Sequence, residues 1–204
     1  MAFISNGTTI LDAGAFSASL GSQVLIKTLT ASSSSTLSFV DGSSDVVLDS
    51  TYPIYVFKFY NIHPATNNTH LMVNFRDGGS SYDATKTTTV FYAYHDEADS
   101  DTSLSYQTGS DLAQSTSAQR LTGGTGNVAD ESASGTLHLF NPSSTTFVKH
   151  FISRSSTYNH SNYVNDWYSA GYCNVTAAID AVQFSMSSGN IDSGTIKLYG
   201  IKDS

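Results

Sequence analysis

The residues with the greatest capacity for chemistry fall in a few short stretches. His95-Asp96-Glu97-Ala98-Asp99-Ser100-Asp101 gathers four carboxylates and an imidazole within seven positions, the hard oxygen donors that a calcium ion prefers. It lacks the glycine and the closing bidentate glutamate of an EF-hand loop, so it reads first as a hydrated acidic turn between strands. Tyr158-Asn159-His160-Ser161-Asn162-Tyr163-Val164-Asn165-Asp166-Trp167-Tyr168 mixes flat aromatic faces with amides and a carboxylate. That combination stacks on sugar rings and bonds their hydroxyls, and it serves a subunit interface equally well. Tyr158, His160, Tyr163, Trp167 and Tyr168 are therefore the candidate surface contacts, whether to a glycan or to another subunit.

Reaction chemistry finds less support. Gly123-Gly124-Thr125-Gly126 is followed by no Lys-Ser or Lys-Thr pair and sits at no strand-to-helix junction, so it reads as a flexible loop rather than a phosphate cradle. No Gly-x-Ser-x-Gly elbow occurs, and the six histidines, at 63, 70, 95, 138, 150 and 160, have no local nucleophile partner. His70 and His138 alternate with Leu71 and Leu139 and are expected to face outward. Glycan cleavage needs two carboxylates about 5 to 10 Å apart, and Asp83, Asp111, Asp130, Glu131, Asp166 and Asp180 are isolated acids that spacing alone does not pair. Cys173 is the single cysteine, which excludes an intrachain disulfide and a cysteine-rich zinc site; set among apolar residues, it reads as an inert buried thiol. No catalytic residue, cofactor site or metal site is expected, and the mechanism is expected to be binding.

The elements that must position these residues are strands. Apolar side chains recur with period two in many short segments, while helical spacing is faint and confined to 177–182. Tyr55, Phe57 and Phe59 point one way and Ile54, Val56, Lys58 and Tyr60 the other, a strand apolar on both faces and hence central. The turn at His63-Pro64-Ala65-Thr66-Asn67-Asn68 predicts a hairpin between 54–62 and 69–76. A second hairpin is expected between 135–140 and 146–154 around Asn141-Pro142, with further strands at 23–30, 35–40, 87–95, 170–175, 181–187 and 194–201. Residues 155–169 read as irregular. Short strands separated by Gly, Ser, Asn and Pro turns, with no helices between them, predict an all-β fold: an antiparallel β-sandwich of jelly-roll type. The chain is read as one domain over 1–204, with a possibly extended N-terminal segment over 1–20.

Composition narrows the partners. Nine basic against 17 acidic side chains give a net charge of −8, the wrong sign for binding phosphate backbones, so no nucleic acid is expected. No segment approaches the roughly 18 consecutive apolar residues that span a bilayer, and the N-terminal residues show no basic start or apolar stretch of a secretion signal. Only 13% of residues are charged, so solubility rests on hydroxyls and amides, as in secreted or particle-surface β proteins. Two loops, 96–135 and 155–169, are the expected contact regions for neighbouring subunits.

Three stretches resemble a family of small jelly-roll virion structural proteins of tailed phages infecting marine bacteria and cyanobacteria. They are Tyr55-Val56-Phe57-Lys58-Phe59-Tyr60-Asn61-Ile62-His63-Pro64-Ala65, His138-Leu139-Phe140-Asn141-Pro142-Ser143-Ser144-Thr145-Thr146, and Phe184-Ser185-Met186-Ser187-Ser188-Gly189-Asn190-Ile191 leading into Gly194-Thr195-Ile196-Lys197-Leu198-Tyr199-Gly200-Ile201. The resemblance implies a non-catalytic subunit, often trimeric, sitting as capsid decoration or in the tail or fibre apparatus. It implies a virion location, reached by assembly in the host cytoplasm, with contacts to its own copies, to other virion proteins and to a host surface glycan. It names no catalytic residue. Two other classes stand beside it: a free-standing carbohydrate-binding module, and a glycan depolymerase.

Overall fold

The computed structural model describes residues 3–5, 8–12, 15–16 and 22–202, and among them every regular element is a strand. Near the N-terminus, within the segment expected to be extended, β1 (Phe3–Ser5), β2 (Thr8–Asp12) and β3 (Ala15–Phe16) fold back on one another as an antiparallel meander. The remaining strands are β4 (Gln23–Ser34), β5 (Thr36–Val40), β6 (Ile54–Pro64), β7 (Leu71–Arg76), β8 (Lys86–Asp96), β9 (Thr102–Tyr106), β10 (Gln119–Arg120), β11 (Ala133–Phe140), β12 (Lys149–Asn159), β13 (Tyr163–Cys173), β14 (Ala181–Met186) and β15 (Ile191–Ile201). They form two antiparallel sheets, one of eight strands in the order β4-β15-β6-β11-β12-β13-β8-β9 and one of four in the order β10-β7-β14-β5. The protein is an antiparallel β-sandwich.

Pairing is nested. The eight strands β4, β5, β6, β7, β10, β11, β14 and β15 pair first with last, second with seventh, third with sixth and fourth with fifth. Two hairpin arms, β8–β9 and β12–β13, are inserted into this scheme, and both extend the larger sheet.

Side-chain alternation supplies the core. Tyr55, Phe57 and Phe59 of β6 are buried, as the pattern predicts, and face Val73 and Phe75 of β7, Val182 and Phe184 of β14, and Phe39 of β5 across the sandwich. Phe39, Phe57 and Phe184 meet edge-on or tilted at centroid distances of 5.2 to 6.2 Å, the arrangement aromatic quadrupoles favour. Fully burying each such side chain contributes about 1.5–3 kcal/mol.

Several local expectations are corrected. Strands β6 and β7 do not form a hairpin: both edges of β6 are taken by β15 and β11, so the chain turns the corner at 65–70 and β7 joins the opposite sheet between β14 and β10. Asn68 adopts φ 56° in that corner, the left-handed backbone that asparagine tolerates. Residues 155–169 are regular, not irregular, since β12 runs through Asn159 and turns at 160–162 into β13. The faint helical spacing at 177–182 yields no helix. The expected hairpin between 135–140 and 146–154 does form, as β11 against the first half of β12.

The two sheets differ in width, so the inner face of β12, β13 and β8 extends beyond the smaller sheet. Residues 110–125 cover it. The inward side chains there are Ser153, Ser155, Thr157, Asn165, Ser169 and Thr88, all buried, where a wider second sheet would have called for apolar ones. Two of their hydroxyls meet carbonyls of the covering chain, Ser155 Oγ donating to Leu121 O at 2.7 Å and Ser169 Oγ to Arg120 O at 2.9 Å, and Thr88 Oγ1 donates to Gln119 Oε1 at 2.7 Å. The run Gly123 to Gly126 is accordingly buried and tightly packed, not a flexible loop; a Cβ on Gly123 would come within 2.8 Å of the Asn165 side chain.

Lys86, at the start of β8, is fully buried in the same layer. Its Nζ donates to Asn74 Oδ1 at 2.5 Å, to Ala84 O at 2.7 Å and to Thr116 O at 3.4 Å, so one ammonium ties β7, β8 and the covering chain together. Burial lowers its pKa to about 8. Lys86→Met would fill the volume but leave Ala84 O without this donor, while Asn74 Oδ1 and Thr116 O keep one each from the Phe75 amide and the Asn74 side chain; a buried acceptor left unpaired costs about 1–3 kcal/mol. The expected outcome is a loss of about 1–3 kcal/mol in urea denaturation; an unchanged midpoint would contradict this role for the amine.

Candidate functional site

Strands β8 and β13 pair along their whole length, with Tyr94 opposite Asn165 and Tyr92 opposite Trp167. Period two then puts Tyr92, Tyr94, Tyr163 and Trp167 on the inner side of the sheet, where the three tyrosines stay half-buried beside the covering chain. Tyr94 and Tyr163 have ring centroids 5.0 Å apart, Tyr92 and Tyr94 5.8 Å, and Tyr92 and Trp167 5.5 Å. Trp167 is 2% exposed, while the three tyrosines are half-buried.

Arg120 closes the buried end of this row. It sits on the two-residue strand β10, and its guanidinium lies 4.2 Å from the Trp167 ring centroid, a cation–π contact. Its Nε donates to Thr122 O at 2.9 Å and Nη1 to Ser110 Oγ at 3.3 Å. Burial lowers its pKa to about 10. Among the described residues the ion pairs are Arg76–Asp180, His95–Asp99 and Arg154–Asp166, so Arg120 has no carboxylate partner there.

The open end of the row meets the acidic turn. Asp96 Oδ1 accepts from the amides of Ser100 and Asp101 at 2.8 and 3.0 Å, and its Oδ2 from Ser100 Oγ at 2.5 Å. The Ser100 hydroxyl and these amides hold the Asp96 carboxyl at a pKa of about 2. Asp101 Oδ2 accepts from the Tyr94 hydroxyl at 2.7 Å, a bond that pushes the Tyr94 phenol up to about 12. The Glu97 amide donates to Asn162 O at 3.0 Å, so the β8–β9 and β12–β13 turns are fastened to each other. Between them lies an open cleft of about 410 Å³ lined by Tyr92, Tyr94, Asp96, Asp101, Ser161 and Tyr163. Among the described residues, no group of three or more His, Cys, Asp or Glu side chains converges as metal ligands would.

The five candidate contact residues are split by the strand period. Tyr163 lines the cleft. Trp167 faces the interior and donates its indole N–H to Ser169 Oγ at 3.2 Å, so it is out of reach of any surface ligand. Tyr158 and Tyr168 project from the opposite, outer face, where Tyr168 stacks on Phe91 at 4.6 Å with planes 8° apart. His160 lies in the turn, its Nδ1 3.3 Å from Gly124 O. Sequence reasoning missed Tyr92, Tyr94 and Arg120; the alternation Tyr92-x-Tyr94 was there to be read, but only pairing β8 with β13 gives it meaning.

Of the isolated acids, Asp166 and Asp180 are ion-paired with Arg154 and Arg76. Asp111 accepts from the Tyr106 hydroxyl, and buried Glu131 accepts from the Val128 amide. Cys173 is fully buried, and burial pushes its thiol up to about 12.

The outer face of β9, β8, β13 and β12 carries a second feature. Tyr106, Phe91, Tyr168 and Arg154 stand in register across four strands. Around them Leu104 is 72% exposed, and Ile152 and Val164 are 51% exposed. Strand β9 is an edge strand with one side unpaired. Comparison with known proteins finds no matching family model, no matching curated protein and no matching solved structure.

His70, expected on the surface, is half-buried near Arg120, with its Nδ1 3.1 Å from Gly123 O. Burial, reinforced by the Arg120 charge, lowers its pKa to about 4, below the ordinary 6.5. The folded state therefore holds His70 neutral while the unfolded chain takes up a proton below pH 6.5, so this contribution is complete above 6.5 and is lost as pH falls toward 4. His70→Asn keeps a donor for the Gly123 carbonyl and removes the titration. Its stability, from urea midpoints between pH 7 and 4.5, should fall less steeply than that of the wild type; equal slopes would contradict the assignment.

Proposed function

We propose that this chain is a non-catalytic structural subunit of a tailed-phage particle, a capsid-decoration or tail- or fibre-associated protein that assembles with its own copies, as a trimer, and with other virion proteins. The observation that carries this reading is the outer face of β9, β8, β13 and β12. Leu104, Tyr106, Phe91, Val164 and Ile152 are all exposed there on one sheet surface, and large apolar side chains grouped on one exposed face mark an interaction site. The unpaired side of β9 adds main-chain donors and acceptors along the same margin. A face of this kind is buried when a second copy of the chain packs on it, and the hydroxyl-rich remainder of the surface stays wet.

The connectivity supports the finer reading of a jelly roll. Eight strands paired first with last, second with seventh, third with sixth and fourth with fifth are what results when one long antiparallel ribbon is rolled into a sandwich, an architecture common in viral capsids and lectins. The resemblance at 55–65, 138–146 and 184–201 supports the same assignment, since all three stretches fall on this eight-strand frame. A carbohydrate-binding module is the second reading, favoured by the tyrosine cleft.

Light scattering in high salt should give an oligomer for the wild type, with three copies the expected mass. Leu104→Asp combined with Ile152→Asp should give a monomer whose thermal midpoint is close to the wild type's, because both side chains are already exposed in the single chain. A wild-type monomer at micromolar concentration, or an oligomer untouched by the double substitution, would count against assembly through this face.

A further inference from the structure

We propose that the cleft between the β8–β9 and β12–β13 turns is a binding site for a neutral saccharide, with Tyr163 and Tyr94 as the stacking surface and Asp101 as the hydroxyl acceptor. The inference does not rest on the assembly reading, since the cleft opens on the inner side of the sheet and the assembly face is the outer one.

Three features of the cleft point to this ligand class. First, three tyrosine rings are left partly open to water although a covering chain lies next to them, and tyrosine supplies rigid, amphipathic contact area at small entropic cost. Second, the acceptors beside the rings are fixed in place with capacity to spare. A carboxylate offers about four lone-pair sites, and Asp101 uses one for the Tyr94 hydroxyl. Two adjacent hydroxyls of a sugar would satisfy the free positions of Asp101. Third, the volume of about 410 Å³ falls within the range of small-ligand sites, about 300–1,000 Å³.

Charge and ring geometry narrow the class. Asp96 and Asp101 line the opening, His95 is already bonded to Asp99 at 3.2 Å, and Arg120 lies at the buried end of the row with its guanidinium bonded to Thr122 O and Ser110 Oγ, so uronates, sulfates and phosphates are disfavoured at the opening. A quaternary ammonium would suit the charge but needs rings that face one another around a point. Here Tyr92 and Tyr94 are stacked with planes 14° apart and Tyr163 is inclined at 45° to Tyr94, a row rather than a cage, and a tyrosine at the cleft rim suits the flat face of a pyranose ring. Because Asp96 is tied to Ser100 and Asp101 by three hydrogen bonds, the acceptor rim is set before the ligand arrives.

The full chain would be screened on a printed glycan array holding neutral, uronate-containing and sulfated oligosaccharides. The neutral hit would then be titrated by calorimetry, with choline chloride as the cationic control. The expected result is binding of a neutral oligosaccharide that weakens at least tenfold in Tyr163→Ala and in Asp101→Asn, and is unchanged in Tyr158→Ala and Tyr168→Ala on the opposite face. Near-UV circular dichroism checks folding, and Asp101→Asn, at the exposed rim, keeps the test decisive if Tyr163→Ala unfolds. Absence of any neutral hit, preference for acidic glycans or choline, or affinity indifferent to Asp101→Asn would overturn the proposal. Light-scattering mass recorded on the same samples reports separately on assembly, so failure of one reading leaves the other legible.

Discussion

An irregular chain laid on a β-sheet must find partners for its own amides and carbonyls, because a buried main-chain group without one costs as much as a lost hydrogen bond. That requirement governs half of this molecule. The larger sheet has eight strands and the smaller four, so β12, β13 and β8 pack on residues 110–125 instead of on a second sheet. Where sheet faces sheet, the inward residues are Phe57, Leu137, Leu139 and Phe151; where sheet faces covering chain, on the same β12 strand, they become Ser153, Ser155 and Thr157. The change of side-chain type within one strand records the change of neighbour. Lys86 and Arg120 serve the same end with longer side chains, reaching Ala84 O and Thr122 O, and Gln119 shares Arg120 O with Ser169.

The same constraint produces the cleft. A covering segment crosses only part of the extended sheet, and the inward-facing surface beside it stays half-buried. Alternation had assigned that surface to interior-type residues, Tyr92, Tyr94 and Tyr163, yet geometry leaves them at an opening. Tyrosine suits the position because its ring can lie against Trp167 and its hydroxyl can meet Asp101 or water. The outer face follows the opposite logic, with apolar side chains where no covering chain lies among the described residues.

How much of this was readable from residue order depends on the distance involved. The β-sandwich, the central position of 54–62 and the hairpin at Asn141-Pro142 rest on period two and on turn residues within a dozen positions, and these hold. The pairing of 54–62 with 69–76 failed because Pro64, Asn67 and Asn68 announce a turn without saying whether the chain stays in one sheet or crosses to the other; β15, more than a hundred residues later, had already occupied the edge. Residues 155–169 looked irregular because Ser155, Thr157, Asn159 and Asn165 are polar, and polarity was read as solvent. They alternate all the same, with hydroxyls and amides inward. Trp167 was assigned to the surface for the same reason, whereas its place in a strict alternation with Asn165 and Ser169 puts it inside.

The nested pairing has a bearing on biosynthesis. The last of the described strands, β15, lies between β4 and β6, so the larger sheet has a gap at its second place from one edge until β15 has been made. During that interval the edges of β4 and β6 that β15 will join are unpaired, and the apolar interior they frame is open. Closure of the larger sheet thus waits for β15, and a chaperone or a waiting partner would meet the nascent fold first as an unsealed sheet.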